Sequence, residues 1–264
     1  MSLHEEAAAA LFAAEQSRSQ IGLLSKAHPE WTMDDAYAVQ SALVARKIAA
    51  GRTIIGWKIG LTSKAMQDAL KINIPDSGIL FDDMMFEHGA TVPKGRFIQP
   101  RVEAEIAFIM KHDLKGPNAT RDAVWAATLH VAPSLEILDT RIRRVDPETG
   151  KARTIVDTIA DNAANAGIVL GRERHAVDAH DLRWVGSIVK RNGEVEETGL
   201  GAGVLDDPAS GIAWLANRLA QYGDRIRAGD IVLAGSFVRP IEARSGDRFA
   251  ADFKDFGQVH IDFA

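Results

Sequence analysis

Apolar and polar positions follow two different periods along this chain, and the change falls near residue 53. Before that point the spacing is helical. Residues 3–24 are rich in Ala, Leu and Glu and repeat apolar side chains every third or fourth position. "TMDDAYAVQSALVARKIAAGR" predicts a second helix, with Thr32 as N-cap, Asp34 and Asp35 in its first turn and Gly51 at its end. Some fifty residues, roughly, are too few to bury much core alone. Residues 1–52 are therefore expected to form a helical N-terminal region packed on residues 53–264.

From Thr53 the period shortens towards two. "TIIGWKIGL", "RVEAEIAFIM", "ANAGIVLG", "WVGSIVKRNGEVEETG", "DIVLAGSF" and "QVHIDF" read as strands, and Asn192-Gly193 is a strong hairpin turn signal. "GILFDDMMF" and "ATVPKGRFIQP" look like loop, turn and short strand. "ATRDAVWAATLHVAPSLEIL" predicts a helix capped by Thr120 that runs into a strand carrying Glu136. "DDPASGIAWLANRLAQYG" predicts a clear helix, capped by Asp206 or Asp207 with Pro208 near its first turn. Many strands and few helices, out of strict alternation, indicate an α+β fold rather than a doubly wound sheet. No internal repeat or low-complexity linker interrupts the pattern.

Composition narrows the function. The 264 residues are 46% hydrophobic and 25% charged, ordinary for a globular protein, and the net charge of −5 argues against nucleic acid or an acidic membrane as partner. Cysteine is absent, which excludes disulfides, thiolate catalysis and Cys-ligated metals. No apolar run is long enough to span a bilayer. The acidic, amphipathic N-terminus lacks the features of a signal peptide, so a cytoplasmic enzyme or binding protein is expected.

The strand "QPRVEAEIAFI" poses the chemical question. Glu103 and Glu105, two residues apart, share one face of an otherwise apolar strand. Glu136 sits in a second apolar run, "VAPSLEILD". Either these carboxylates face solvent and pair with Lys or Arg, or they are buried and need a counter-charge. A hard divalent cation such as Mg²⁺ or Mn²⁺ would supply it. Lys58, between Trp57 and Ile59, is either a buried proton shuttle or carboxylate binder, or a lysine whose stem covers apolar surface. Asp76 lies in "PDSG", which is also a routine turn. "GLGAG" lacks the spacing of a dinucleotide cradle and reads as close backbone packing. Neither H-E-x-x-H nor G-x-S-x-G is present.

"GWKIGLTSKAMQ", "PDSGILFDDM", "RFIQPRVEAEIAFIM", "APSLEILDTRI", "VDTIADNAANAGIVLG", "RNGEVEETGLGAGVL", "GIAWLANRL" and "AGDIVLAGSFVRP" occur in that order. Together, over essentially the whole chain, they resemble the hydratase/decarboxylase branch of the fumarylacetoacetate hydrolase superfamily. The resemblance implies a mixed β-sheet roll with a helical N-terminal region. It implies a Mg²⁺ (or Mn²⁺) site at Glu103, Glu105 and Glu136, catalytic roles for Lys58 and Asp76, and substrate contacts from Leu61 and Ser236. It also implies a homo-oligomer built from dimers. The segment around Asp146-Pro147-Glu148-Thr149 is similar to that of hydratases acting on a seven-carbon diacid, 2-hydroxyhepta-2,4-diene-1,7-dioate. Arg143, Arg144 and Arg153 in this segment are candidates, by location, for the distal carboxylate. The five-carbon monoacid hydratases, the 4-oxalocrotonate decarboxylases and a mainly structural partner subunit are the alternatives. Trp57 stands where the nearest relatives are expected to carry histidine.

Overall fold

The computed structural model describes residues 1–64, 67–68 and 74–264. Two helices open the chain, α1 (Leu3–Ser17) and α3 (Met33–Ala49), with the single turn α2 (Leu24–Ala27) between them. Both long helices begin with a reciprocal capping box, Ser2 with Glu5 and Thr32 with Asp35, which satisfies backbone donors the helix cannot pair itself. The helical spacing over 3–24 does not continue as one helix. Arg18 turns left-handed at φ 57°, and Ile21 instead bridges to Ile142. The Gln20 amide donates to the Thr140 hydroxyl at 2.8 Å, so tertiary contacts override local propensity there.

The described residues form two mixed sheets. The larger contains β1 (Ile54–Gly60), β2 (Asp76–Phe81), β3 (Met85–Phe86), β5 (Arg101–Met110), β6 (Thr128–Leu138), β7 (Asn165–Leu170), β10 (Ile231–Ser236) and β11 (Ile241–Glu242). Its order is β2-β1-β10-β5-β6-β7-β3, with β11 added to β5. The smaller contains β4 (Thr91–Val92), β8 (Gly186–Arg191), β9 (Glu194–Leu200), β12 (Arg248–Asp252) and β13 (Gln258–Phe263), in the order β4-β13-β12-β8-β9. Parallel and antiparallel pairs coexist: β1 runs parallel to β10, and β10, β5, β6 and β7 are successively antiparallel. This is the α+β roll expected, with α4 (Arg121–Ala127), α5 (Ile155–Ala160) and α6 (Pro208–Ala220) packed around it. Asp207 caps α6, and Asn192-Gly193, both at positive φ, close the β8–β9 hairpin.

The main core lies around the larger sheet. Phe81 and Phe108 are fully buried, and each contributes about 1.5–3 kcal/mol. Ile212 and Leu215 of α6 join the same core. The N-terminal helices do not close a core of their own: Leu11, Val39 and Leu43 pack with Ile142, Val156 and Ile159. Asp157 ties the two parts together by accepting from Ser25 N at 3.0 Å, Ser25 Oγ at 2.6 Å and Thr154 N at 2.8 Å. Two elements escape the sequence pattern. α5 is only six residues long, and β12 carries no β-branched residue to announce it.

The glycines of "GLGAG" pack backbone against backbone. A Cβ on Gly199 would sit 2.0 Å from the Phe237 carbonyl oxygen, whereas one on Gly203 would meet nothing within 4 Å. Gly199→Ala should therefore destabilise the fold by about 2–3 kcal/mol or more, and Gly203→Ala by no more than about 0.5 kcal/mol. Urea unfolding followed by circular dichroism measures both; equal effects would show that close approach at Gly199 is not what fixes that residue.

Candidate active site and metal centre

Strand register assembles the site on one face of five neighbouring strands of the larger sheet. Glu103 on β5 is the direct cross-strand partner of Glu136 on β6, and Glu105 follows two residues along. Ser236, at the end of β10, is opposite Glu105. Gly60 on β1 faces Asp76 on β2, and Lys58 faces Gly78. Lys58, Leu61, Asp76, Glu103, Glu105, Arg153 and Ser236 line one cavity of about 290 Å³, at the lower edge of the small-ligand range. Glu136 is fully buried and does not line the cavity itself, but Lys58, which does, reaches it at 3.2 Å.

One oxygen from each of Glu103, Glu105 and Glu136 lies within 4.8 Å of the others. Few protein donors offset this charge. Gly235 N–H donates to Glu105 Oε2 at 2.9 Å. Lys58 Nζ approaches Glu136 Oε2 at 3.2 Å, but not along a hydrogen-bonding direction, so both Glu136 oxygens lack a hydrogen-bond partner. Asp76 Oδ1 is likewise buried without one.

The electrostatics follow from this crowding. Burial, then Glu136, pushes the Glu103 carboxyl up to about 8. The same two causes hold Glu105 well above the ordinary glutamate range. Burial raises Glu136 and Asp76 too, against the pull of Lys58. Burial alone would depress the Lys58 ammonium, but Glu136, Asp76, Glu103 and Glu105 outweigh it and hold Lys58 above its usual range. The pocket thus sets four carboxyl groups against one ammonium. An all-oxygen donor set with orphaned, buried carboxylate oxygens fits a hard divalent cation.

Tight backbone turns hold Lys58 and Asp76 in place. A Cβ on Gly60 would fall 2.2 Å from Asp76 Oδ1, so only glycine leaves room for that carboxylate. Asn162, Ala163 and Ala164 occupy three successive left-handed positions, at φ 52°, 52° and 58°. Non-glycine residues rarely adopt such φ, and clusters of this kind mark functional sites. The Asn162 side chain anchors the turn by accepting from Ile79 N at 2.8 Å and donating to Ile79 O at 2.9 Å. The turn presents the Ala163 carbonyl to Lys58 Nζ at 3.4 Å. Nothing in the sequence marks Asn162 or Ala163 apart from the block "DNAANAG" itself.

Other expected residues separate. Leu61 lines the cavity in a left-handed conformation, and its carbonyl accepts from the Gln67 amide at 2.8 Å. The Ser236 hydroxyl is engaged by Val238, donating to its carbonyl at 2.8 Å. Arg143 is exposed, and Arg144 lines a different groove and donates to Gln99 O at 3.2 Å. Of the three arginines considered, only Arg153 lines the cavity. Trp57 points to the back of the sheet, into a separate cavity of about 500 Å³ with Tyr37, Ile79 and Arg218. It does not line the cavity that Lys58 enters.

No family model matches the chain. It is 51% identical to the 2-oxo-hept-4-ene-1,7-dioate hydratase of Escherichia coli over 95% of its own length and 94% of the relative's. The chain belongs to the hydratase/decarboxylase branch of the fumarylacetoacetate hydrolase superfamily. The 4-oxalocrotonate decarboxylase from Pseudomonas putida G7, solved with magnesium and adipate, superposes with a TM-score of 0.91 at 33% identity, covering 100% of this chain and 99% of that one. A fumarylacetoacetate hydrolase family protein from Yersinia pestis CO92, with a TM-score of 0.56 and 16% identity over 80% of this chain and 94% of its own, shares the fold alone.

The raised carboxyl groups make a pH prediction. Glu103 binds its proton in the fold between about 4.5 and about 8, where an unfolded glutamate has lost it. The metal-free fold should therefore lose stability as pH rises through that window. Lys58 stays charged throughout it and leaves the slope unchanged. A cation that displaces those protons should raise the melting temperature more at pH 8 than at pH 5.5. Thermal unfolding with Mg²⁺ and with EDTA checks this; a metal effect that is absent, or equal at both pH values, contradicts it.

Proposed function

We propose that the chain is a divalent-metal-dependent hydro-lyase that adds water to 2-hydroxyhepta-2,4-diene-1,7-dioate, giving 4-hydroxy-2-oxoheptane-1,7-dioate. The observation that carries the reading is the convergence of Glu103, Glu105, Lys58 and Asp76 on one small cavity, with Glu136 clustered against the two glutamates and Lys58. The seven-carbon diacid is supported by the Escherichia coli relative, whose name specifies that substrate. Glu103, Glu105 and Glu136 would hold Mg²⁺, or Mn²⁺. Bound there, the ion would act as a Lewis acid, stabilising negative charge on the substrate's C2 oxygen.

The protein's own groups supply the rest. The dienol loses its 2-hydroxyl proton and gains one at C5, which leaves an α,β-unsaturated ketone. Water adds at C4, and a proton returned to C3 completes the hydration. Lys58, held as an ammonium beside the Ala163 carbonyl, offers a proton and a fixed positive charge. Asp76, with Oδ1 unbonded and Gly60 leaving it room, receives and returns protons. Backbone groups near Leu61 and Ser236 orient the substrate oxygens.

We also infer a cytoplasmic homo-oligomer built from dimers. Trp184, Ile188, Val195 and Leu200 are exposed on or beside the β8–β9 hairpin, and a second copy would cover them. Among the described residues, no helix is long and apolar enough to cross a membrane. The decarboxylase neighbour at a TM-score of 0.91 supports a second reading, loss of carbon dioxide from 2-oxohex-3-enedioate.

Incubation with the seven-carbon hydroxydiene diacid should consume the diene absorbance with Mg²⁺ and not with EDTA, and should yield the 4-hydroxy-2-oxo diacid. Lys58→Met, Asp76→Asn and Glu105→Gln should each lower kcat by about 100-fold or more. Carbon dioxide release from 2-oxohex-3-enedioate, with no hydration, would instead assign the chain to the decarboxylases.

A further inference from the structure

The cavity holds one cation that its surroundings leave unspent. Glu136 takes up Lys58, and Glu197 takes up Arg239, which is largely exposed. Arg153 also lines the cavity, and its side chain makes no hydrogen bond or ion pair among the described residues; Nη1 is buried and unpartnered. Asp161 attracts it from a distance, but that carboxylate is committed to Arg141, with Oδ1 accepting from Nε at 2.5 Å and Oδ2 from the Arg141 backbone N–H at 2.8 Å. Arg153 is half-buried, but a guanidinium nitrogen buried without a partner is costly, and the natural remedy is a bound anion.

We infer that Arg153 binds the far carboxylate of the substrate and so selects diacids over monoacids of the same length. The inference rests on the functional reading above and extends it from the reacting end of the molecule to the other. With Glu103, Glu105 and Glu136 gathered around the α-keto acid head, Arg153 offers a charged, forked donor elsewhere in the same cavity. Its environment favours an anion. Burial draws the guanidinium below its usual range, and Arg101 and Arg141 add to that against Asp161. A carboxylate would relieve both the lost hydration and the repulsion. The backbone that carries the side chain is fixed: Arg153 N donates to Arg144 O at 2.9 Å, and the next residue, Thr154, caps α5.

The test compares two unreactive ligands on the Mg²⁺-loaded protein by isothermal titration. 2-Oxoheptanedioate carries both ends; 2-oxoheptanoate has the same chain and head but ends in a methyl group. Wild type should bind the diacid about 10–100-fold more tightly. Arg153→Met should abolish that preference while leaving the Kd of the monoacid within about twofold. Arg153→Lys, which keeps the charge and loses the fork, should keep a smaller preference and guards against a misfolded methionine variant. A preference unchanged in Arg153→Met, no preference in wild type, or equal weakening of both acids overturns the role of Arg153 alone. Failure of wild type to bind either 2-oxo acid with Mg²⁺ would overturn the functional reading, and this inference with it.

Discussion

Four carboxyl groups crowded around one ammonium, with Arg153 as a second cation lining the same cavity, is the constraint from which the rest of this molecule can be understood. Glu103, Glu105, Glu136 and Asp76 cannot all be ionised beside Lys58, even with Arg153 acting on Asp76, without a large electrostatic cost. A fold that only needed stability would replace them with apolar side chains. Without a ligand the groups hold protons to limit the cost; a bound cation would meet it instead, and the all-oxygen donor set fits a hard one. Even the pairing pattern serves this end. Placing Glu103 directly opposite Glu136 is unfavourable for two isolated strands, because like charges repel across a ladder.

Such a centre needs a stiff frame, and its frame extends well beyond the sheet. The Gln40 amide, on α3, donates to Ser77 O at 2.8 Å and to Ile159 O at 3.1 Å, both fully buried bonds. The N-terminal helix thereby grips the strand that carries Asp76 and, through α5, the left-handed turn behind Lys58. Arg141 and Asp161 lock the adjoining loop, with Arg141 Nη1 donating to Asn165 O at 3.1 Å and Nη2 to Asp161 O at 2.5 Å. Helices that look like an appendage in the sequence are part of the architecture that positions the acid groups.

The period-two spacing of Glu103 and Glu105 was legible directly, because it fixes a common face whatever the fold. The caps at Thr32, Thr120 and Asp207 and the turn at Asn192-Gly193 were legible for the same reason: each is local chemistry. The meeting of Lys58 and Asp76 with the glutamates was not, since it depends on β10 inserting between β1 and β5 from roughly 170 and 120 residues further along the chain. Resemblance supplied that grouping where residue patterns left it open. Asn162 tolerates a left-handed conformation, but the turn was invisible because Ala163 and Ala164, which disfavour it, continue it. Arg153 stood among three equal candidates until the loop's path separated them.

The alternation of β1 puts Lys58 in the cavity and its neighbour Trp57 on the reverse of the same strand. Of the protein's five tryptophans, Trp57 is the one that is buried, at 7% exposure. One peptide bond joins this indole to the backbone that carries the pocket's ammonium. Shifts in the pocket that move the strand will move a natural fluorophore with it, so the molecule carries an optical gauge of its own centre that never touches what is bound there.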